Sequence, residues 1–310
     1  MQITKNILMI EPINFRYNEQ TAVNNYYQKV LDNLTPEMVQ KKALKEFKDL
    51  VIKLEDVGVN VIVVKDTDFP DTPDSIFPNN WISFHASGKI CLYPMCAENR
   101  RVERRKDIFD ILKNKYFFLV NDIIDLSYFE KENKFLEGTG SMILDRANKI
   151  CYAAISVRTE RISLFEFCKQ FDYKPICFTA NQDVKDKRMP IYHTNVMMCV
   201  ADRFVVICLD SIDNNKERKL VVESILNSGK EIIEISEEQK NRFAGNMLQV
   251  LGDNQIYLIM SESAYNCLDI KQINKIEKHC KIIYSALDTI EACGGGSARC
   301  MMAEVFLPKN

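Results

Sequence analysis

The sequence is poor in the features that would connect it with metals, membranes or nucleic acids. It has three histidines in 310 residues and no Cys-x-x-Cys pair, so neither a histidine-rich metal cluster nor a zinc ribbon is expected. Its 41 basic and 43 acidic residues leave a formal net charge of -2, which gives no field of one sign for nucleic acid or an anionic membrane. No apolar run approaches the roughly 18 residues of a membrane span. These absences favour a small molecule as the partner.

The cysteine content and the N-terminus predict a reducing, cytoplasmic compartment. Eleven cysteines form an odd set without the spacing of a disulfide framework. The first residues lack an apolar segment followed by a small-residue cleavage site. Hydrophobic residues make up 46% of the chain, enough to bury a substantial core. We therefore expect a soluble, cytoplasmic globular protein without a metal or other cofactor, and the sequence leaves a homo-oligomer open.

The first sixty residues predict a strand, helices and a second strand. Residues 7–11 form a short apolar run that ends in a turn-like segment with Pro12. A helix is expected to begin at Thr35 and Pro36, to present one apolar face, and to end before Gly58. The β-branched run 59–64 follows and is too apolar to have a solvated face. A strand, a helix and a strand in this order predict a parallel pair.

From residue 74 onward one pattern recurs. A polar segment precedes a strand, a turn, a second strand, a helix and a third strand; in the first such unit the helix is expected near 101–114 and the third strand at 116–120. The polar positions recur at intervals of 57, 56, 53 and 54 residues: Asn80, Glu137, His193, Asn246 and Cys300. This period indicates repeated ββαβ units. A generic α/β protein with coincidental spacing is the alternative.

The two ends of the chain complement each other in this pattern. The last unit has only the strand predicted to begin at Cys300, whereas the N-terminus supplies a strand, helices and a strand without a hairpin partner. Joining them would close a ring, remove exposed sheet edges and place the start of every unit on one rim.

Cys300 follows a segment suited to a reactive thiol. The three glycines at 294–296 allow positive φ and close approach of another group, and Arg299 is a cation that would favour thiolate. The alternative is a buried structural cysteine, which is the expected state of the other ten.

Polar side chains at equivalent points of the repeats would converge on the rim. The set contains Asp74, Asn80, Glu137, His193, Asn195, Asn246 and Cys300. A thiol, an imidazole and a carboxylate are what covalent hydrolysis requires. Taken singly, Glu137 could cap a turn and His193 could be a structural histidine; their joint occurrence at equivalent places favours catalysis.

These motifs resemble those of the guanidino-group modifying enzymes. The segment 294–300, the Glu137-Gly138-Thr139-Gly140 motif, His193-x-Asn195 and the repeat of about 55 residues are similar to those of arginine deiminases, dimethylarginine hydrolases and amidinotransferases. The resemblance covers the whole chain and implies a single domain over residues 1–310 with an α/β fold, the five-bladed pentein propeller. The combination of residues 73–81 with His193-Thr194-Asn195 is most similar to the citrulline utilisation hydrolase group.

The resemblance also implies roles for individual residues. Cys300 matches the nucleophile that attacks the central carbon of the substrate, and His193 matches the general acid and base. Glu137 matches the carboxylate that binds substrate nitrogens and supports the imidazolium. Arg100 and Arg158 match positions that bind the substrate α-carboxylate; for both, a solvated surface arginine is the alternative.

Two departures from the guanidine-processing pattern predict the substrate. By this resemblance, Asn80 stands where deiminases and dimethylarginine hydrolases usually carry aspartate, and Asn195 stands where deiminases carry another. Asparagine amides suit a neutral ureido group, which needs both donors and acceptors, rather than a cationic guanidinium. The expected reaction converts citrulline to ornithine, ammonia and carbon dioxide. Arginine deiminase or dimethylarginine hydrolase activity comes second and amidino transfer third, and a non-catalytic binding protein of the same fold is the alternative from another class.

Overall fold

Five three-stranded sheets with the same topology make up the structure, a computed structural model that describes residues 1–309. The strands are β1 (Asn6–Glu11), β2 (Asn60–Lys65), β3 (Ile82–Phe84), β4 (Lys89–Leu92), β5 (Asp122–Asp125), β6 (Ile143–Asp145), β7 (Ile150–Ala154), β8 (Lys174–Phe178), β9 (Asn181–Val184), β10 (Lys187–Pro190), β11 (Met198–Val200), β12 (Phe204–Ile207), β13 (Glu231–Glu234), β14 (Leu248–Leu251), β15 (Ile256–Ser261), β16 (Lys281–Ser285) and β17 (Ala303–Glu304). In each sheet the middle strand pairs antiparallel with one neighbour and parallel with the other.

Helices connect the parallel strands and short helical turns precede the first strands. The α-helices are α1 (Glu19–Ala22), α2 (Pro36–Glu55), α3 (Glu98–Arg101), α4 (Asp107–Asp110), α5 (Gly138–Ser141), α6 (Arg161–Phe171), α7 (Asn215–Asn227), α8 (Glu237–Asn241), α9 (Glu262–Cys267), α10 (Ile270–Glu277) and α11 (Asp288–Gly294). The 3₁₀ turns are Pro78–Asn80, Ser127–Glu132, Thr194–Val196, Leu209–Ser211 and Ala298–Met301, and Ile111–Lys115 is a π-turn that continues α4. No helix within residues 1–309 is both long and apolar enough to cross a membrane.

The two ends of the chain share one sheet. β17 pairs antiparallel with β1, with Leu8 opposite Ala303, and β1 pairs parallel with β2. The order β17-β1-β2 thus repeats the topology of β3-β4-β5 and of the other three sheets. The prediction of an α/β fold with five repeated blades, the pentein propeller, is confirmed.

Strand β1 lies in the interior because both of its faces are apolar. Ile7 and Met9 pack into one buried cluster with α2, whereas Leu8 and Ile10 pack into another that contains Trp81. A strand with two buried faces has no alternation of polar and apolar residues, which is the pattern of the sequence here.

Helix α2 begins and ends where the sequence predicts. Thr35 is its N-cap, with the side chain accepting the Met38 N–H, and Pro36 occupies the first turn, where no N–H is needed. Phe47, Leu50 and other apolar residues of one face are buried against β1 and its neighbours.

The structure corrects the third strand and the helix of the first repeat. The apolar run 116–120 is not a strand: Phe117 has a φ of 59° and is exposed, and the Leu119 N–H donates to Pro308 near the C-terminus. The edge of the sheet is instead β5, a more polar segment paired with β4. The helix expected over 101–114 is divided into α3, α4 and the π-turn. The hairpin β9–β10 was not predicted because its alternation is weak.

Candidate active site

The polar motifs of the repeats lie on short helical turns that pack against one another. Pro78–Asn80 contacts both α5 and Ala298–Met301, and α5 also contacts Thr194–Val196. The absence of a side chain at Gly140 permits this approach, since a Cβ there would lie 2.4 Å from Asn80 Nδ2 and 2.8 Å from His193 Nδ1. The glycine in Glu137-Gly138-Thr139-Gly140 therefore brings an amide and an imidazole together.

A small cavity lies between these turns. Six predicted site residues line it: Asp74, Asn80, Arg100, Arg158, His193 and Cys300. The glycines at 294–296 form another wall. Its volume is ≈ 10 Å³, about what one water molecule requires. An amino acid cannot enter this cavity unless part of the wall moves.

Cys300 lies at the bottom of this cavity, but not at the start of a strand. It belongs to the turn Ala298–Met301, and β17 begins only at residue 303. Its N–H donates to the Ser297 carbonyl at 2.9 Å, and the residue is 4% exposed. Two side-chain amides donate to Sγ, Asn195 Nδ2 at 3.3 Å and Asn246 Nδ2 at 3.2 Å. Amide donors can stabilise negative charge that develops on the sulfur during a reaction.

Asn246 and Asn195 therefore contact the nucleophile rather than line the cavity. Asn246 Oδ1 accepts the Arg299 N–H at 3.0 Å and Nδ2 donates to the Asn195 carbonyl at 3.0 Å, which fixes the orientation of the amide. The sequence placed Asn246 among substrate-binding residues; in this structure its amide is held by the main chain on one side and by sulfur on the other, and the substrate-binding role stays a prediction. Asn195 Oδ1 is buried without a partner beside the sulfur.

His193, Glu137 and Arg158 form a buried chain of contacts. His193 Nε2 lies 2.8 Å from Glu137 Oε2, and Arg158 Nη1 donates to the same oxygen at 3.3 Å. Burial opposes ionisation of Glu137, but Arg158 and the hydrogen bond from His193 outweigh it and hold the pKa of Glu137 well below its usual value. Burial lowers the pKa of His193 to about 4, although Glu137 raises it. At neutral pH the imidazole is thus uncharged beside a carboxylate, and it can accept a proton.

Glu137 is fully engaged by protein groups. Oε1 accepts the Cys96 N–H at 3.0 Å, and Oε2 contacts His193 and Arg158. Because the carboxylate does not line the cavity, binding of substrate nitrogens, expected from the resemblance, has no support in this geometry. The geometry does support the other expected role, stabilisation of the His193 imidazolium, since Glu137 is the acceptor for His193 Nε2.

Arg158 lines the cavity, and the N-terminal segment occupies most of its donors. Nε donates to Asn24 Oδ1 at 2.8 Å, Nη2 donates to the Thr21 carbonyl at 2.8 Å, and the guanidinium lies 4.9 Å from the Tyr192 ring centroid. Arg158 is 2% exposed, so the alternative of a solvated surface arginine is excluded. These donors would be free for a carboxylate if residues 21–24 moved away.

Arg100 lines the cavity but binds protein groups in this structure, so its predicted binding of the substrate carboxylate stays a prediction. Its Nε and Nη2 form a fork with the Glu103 carboxylate, each at 2.9 Å, and Nη2 also faces the Asp74 and Phe77 carbonyls. Nη1 donates to Asn80 Oδ1 at 2.8 Å. The buried pair with Glu103 consumes the fork that a substrate carboxylate would need. Glu103 was missed by the sequence analysis; its spacing of three residues from Arg100 on a helical segment is the signal that could have found it.

Asp74 offers an unsatisfied carboxylate oxygen to the cavity. Oδ2 accepts from Asn18 Nδ2 at 2.7 Å and from Thr21 Oγ1 at 3.1 Å, whereas Oδ1 is buried without a partner. Burial raises the pKa of Asp74, and Arg100 opposes that shift. A buried unsatisfied acceptor of this kind points to a missing donor.

Residues 18–25, the covering segment, form the wall that the sequence analysis missed. Asn18 caps α1 and binds Asp74, while Asn25 Nδ2 donates to the Gly294 and Gly295 carbonyls at 3.3 Å each. Thr21 and Asn24 hold Arg158. No sequence motif marks this segment, because its role depends on where the fold places one helical turn.

Five repeated ββαβ units of the pentein fold, together with the match to a dimethylarginine hydrolase family model, define the class, the guanidino-group modifying enzymes. Residues 11–307 match the model of a family described as N,N dimethylarginine dimethylhydrolase, eukaryotic, and the chain belongs to this family. The description of this family names hydrolysis of dimethylarginine. No curated protein matches the sequence.

Solved structures with the same fold come from related enzymes. The apo structure of ArgZ, a cyanobacterial arginine dihydrolase from the ornithine-ammonia cycle, superposes with a TM-score of 0.74 at 18% identity. The match covers 98% of this chain and 41% of ArgZ, so this chain spans less than half of that protein. The N-terminal domain of ArgZ, as a cysteine-to-serine variant bound to substrate, superposes with a TM-score of 0.73 at 18% identity. This match covers 97% of this chain and 99% of the domain. A histidine-to-glycine variant of dimethylarginine dimethylaminohydrolase, as the adduct with S-methyl-L-thiocitrulline, superposes with a TM-score of 0.63 at 14% identity. This match covers 97% of this chain and 100% of that enzyme.

Proposed function

We propose that the protein hydrolyses the ureido group of citrulline, giving ornithine, ammonia and carbon dioxide. The observation that carries this proposal is the orientation of the Asn80 amide. Arg100 can only donate, so its contact at 2.8 Å requires Asn80 Oδ1 on that side. Nδ2 is then turned away, and it is buried without a partner in a residue that lines the cavity.

A fixed amide donor distinguishes the two substrate classes. A guanidinium has N–H groups only, so it would meet Nδ2 as a second donor and leave both unsatisfied. A ureido group has a carbonyl oxygen that can accept from Asn80 Nδ2. Asn195 Oδ1 is buried beside the sulfur and does not line the cavity, so Asn80 carries this argument.

The amino-acid end of the substrate would be held by Asp74 and Arg158. Asp74 Oδ1 is the unpartnered acceptor for the α-ammonium, and Arg158 offers a fork to the α-carboxylate once the covering segment opens. Both groups line the cavity that contains Cys300. A zwitterion would thus replace the contacts that Asn18, Thr21 and Asn24 make in the closed structure.

The chemistry proceeds through a covalent intermediate on Cys300. The thiol proton passes to neutral His193, the thiolate attacks the ureido carbon, and the carbonyl electron pair moves to oxygen, where Asn80 Nδ2 donates. Collapse breaks the bond to the terminal nitrogen, which leaves as ammonia with the proton from His193, and a thiocarbamate remains. Water then gives a proton to His193 and attacks the same carbon; Cys300 leaves, and the N-carboxy product loses carbon dioxide to give ornithine. Glu137 stabilises the imidazolium in both steps.

Arginine dihydrolysis is the second candidate. Its support is the fold shared with ArgZ and the Asp74 carboxylate oxygen that lacks a partner. A buried carboxylate favours a cationic substrate. Such an enzyme would release two ammonia molecules per ornithine from arginine, whereas citrulline gives one.

The test compares kcat/KM on citrulline and arginine for wild type, Asn80→Asp, Asn195→Asp and the double variant. Wild type should prefer citrulline. An aspartate at either position places a carboxylate against the ureido oxygen or the attacking sulfur, so citrulline turnover should fall by about tenfold or more in each single variant. The two losses need not add, because both changes face one reacting group.

Asn227→Asp is the matched control, since this exposed residue ends α7 far from the cavity and its change should leave both rates unaltered. Measuring ammonia and ornithine together separates the candidates. A wild type that releases ornithine from arginine faster than from citrulline would contradict the proposal and favour dihydrolysis.

A further inference from the structure

A second, larger cleft lies beside the active site and shares no lining residue with the small cavity. Its walls are residues 26–29 after the covering segment, the hairpin β9–β10, and parts of α8 and α11. Its volume is ≈ 660 Å³, within the range of about 300 to 1,000 Å³ that is typical of small-molecule pockets. The reaction proposed for Cys300 uses none of its residues.

A buried cation without a charged partner stands behind one wall of this cleft. Lys240 is 0% exposed, and its ammonium donates to Tyr27 Oη at 3.0 Å, Gln182 Oε1 at 3.2 Å and Asn241 Oδ1 at 2.7 Å. All three acceptors are neutral. Burial lowers the pKa of Lys240 to about 8, because the lost hydration of the ammonium outweighs the favourable charges of Glu237 and Asp183 nearby.

Gln182 lies between Lys240 and the cleft. Since Lys240 can only donate, the Gln182 amide must present Oε1 to it and turn Nε2 the other way. Nε2 is buried without a partner, and Gln182, 3% exposed, is one of the residues that line the cleft. An oriented amide donor with a positive charge behind it recognises an anionic acceptor such as a carboxylate.

The opposite wall of the cleft carries acidic groups. Glu291 is 7% exposed, and its carboxylate accepts from Ser263 Oγ at 2.8 Å and from Ser297 Oγ at 2.5 Å. Burial raises the pKa of Glu291 to about 7, so a cation beside it would favour its ionised form. Asp288 lies on the same wall, and the rings of Tyr27 and Phe243, 5.2 Å apart, form an apolar surface between the walls.

We propose that this cleft is a second binding site, for a free amino acid whose carboxylate is bound by Gln182 and whose side-chain ammonium, at the far end of an aliphatic chain, is bound by Glu291. The two walls match these two charges, and the aromatic surface matches the aliphatic chain between them. The ligand chemistry follows from the cleft alone and does not depend on the reaction at Cys300.

Isothermal titration calorimetry with L-ornithine on wild type, Gln182→Glu and Gln170→Glu tests the site. A glutamate at position 182 keeps the shape of the side chain and gives Lys240 a charged partner, so the variant should fold and turn over citrulline normally. It replaces the donor by a carboxylate, so one binding event should weaken by about tenfold or more. Gln170→Glu makes the same change on exposed α6 and should bind as wild type does.

Two analogues test the class of ligand. 1,4-Diaminobutane lacks the carboxylate and L-norvaline lacks the side-chain ammonium, and the event lost in Gln182→Glu should be absent or much weaker with both. Any ornithine binding that survives in Gln182→Glu belongs to the active site, so a failure of the citrulline proposal does not affect the result. Unchanged ornithine binding in Gln182→Glu, or equal binding of 1,4-diaminobutane to wild type, would overturn the second site.

Discussion

Cys300 differs from the other cysteines in what surrounds its sulfur. Burial raises the pKa of Cys199 to about 12 and that of Cys293 to about 11, which keeps these thiols protonated. Cys300 is buried as well, but the side-chain amides of Asn195 and Asn246 donate to its sulfur. The reactive cysteine is thus distinguished by hydrogen-bond donors rather than by exposure.

Cys300→Ser should abolish turnover while the protein stays folded. A serine hydroxyl is far harder to deprotonate than a thiol, and His193, with a pKa near 4, is a weak base for it. We expect a loss of at least about a thousandfold in kcat, the scale seen when a nucleophile and its base are separated. Ammonia release measures it. Cys267→Ser, at a half-buried cysteine outside the cavity, is the control and should be fully active.

The same assignment predicts the site of alkylation. Iodoacetamide should modify Cys300 before the other ten cysteines, and citrulline should slow the modification. Peptide mapping that finds another cysteine modified first would refute the assignment of the nucleophile.

Arg158→Ala should weaken recognition of the α-carboxylate. Removing one partner of a buried forked pair costs a few kcal/mol, so KM for citrulline should rise by tenfold or more, about the loss of one charge-assisted hydrogen bond. The preference for citrulline over N-carbamoylputrescine, which lacks the carboxylate, should fall in the variant. Arg161→Ala, at the exposed start of α6, should change neither value. An unchanged preference in Arg158→Ala would mean that another group binds the carboxylate.

At the scale of elements, the covering segment controls access to the site. Helix α1 has only four residues, and its N-cap Asn18 also binds Asp74. So short a helix is not stable by itself, and its contacts with Asp74, Arg158 and the Gly294–Gly295 carbonyls hold it in place. A substrate that takes over Asp74 and Arg158 must first displace these contacts.

Hydrogen exchange should detect this opening. Amides of residues 18–25 should exchange much faster than those of β1, whose strand is buried on both faces. Citrulline bound to the inactive Cys300→Ser variant should change the protection of residues 18–25 and leave β1 unaltered. Protection of the segment equal to that of β1 in the free protein would argue that the substrate enters by another route.

At the scale of the whole molecule, two buried histidines make stability depend on pH. Burial lowers the pKa of His193 to about 4 and that of His85 well below its usual value, where His85 stacks 4.0 Å from the Phe171 ring centroid. The folded protein therefore keeps both imidazoles neutral, whereas the unfolded chain takes up protons below about pH 6.5. The free energy of unfolding should fall as the pH drops through this range.

The contribution of His193 can be measured separately. Between pH 7 and pH 5.5, protonation of His193 in the unfolded chain should lower the free energy of unfolding by about 1 kcal/mol. This value follows from the gap between its pKa in the folded and in the unfolded chain. In urea denaturation, His193→Gln, which keeps a donor for Glu137, should lose less stability over this interval than wild type by that amount. His279→Gln, at a partly exposed histidine, is the control. Equal losses in wild type and His193→Gln would contradict the neutral buried imidazole.

The sequence by itself determined the repeated fold. Periodicity depends on local composition: apolar runs such as 59–64 form buried strands, Thr35 and Pro36 begin a helix, and a spacing of 53 to 57 residues brings equivalent residues to equivalent places. Recurrence at those places was also enough to nominate Cys300, His193 and Glu137. Such features are readable because each is set by neighbours along the chain or by the period of the repeat.

Only the tertiary structure decided what each polar group faces. The sequence could not show that the Glu103 carboxylate pairs with Arg100 or that Arg100 fixes the orientation of the Asn80 amide. Nor could it show that Asn246 contacts the Cys300 sulfur rather than lines the cavity. These outcomes rest on contacts between residues distant along the chain and on which hydrogen-bond partners remain after burial, neither of which leaves a local pattern. For the same reason, the covering segment and the cleft at Gln182 and Lys240 could be identified only in the folded chain, where their residues lie together.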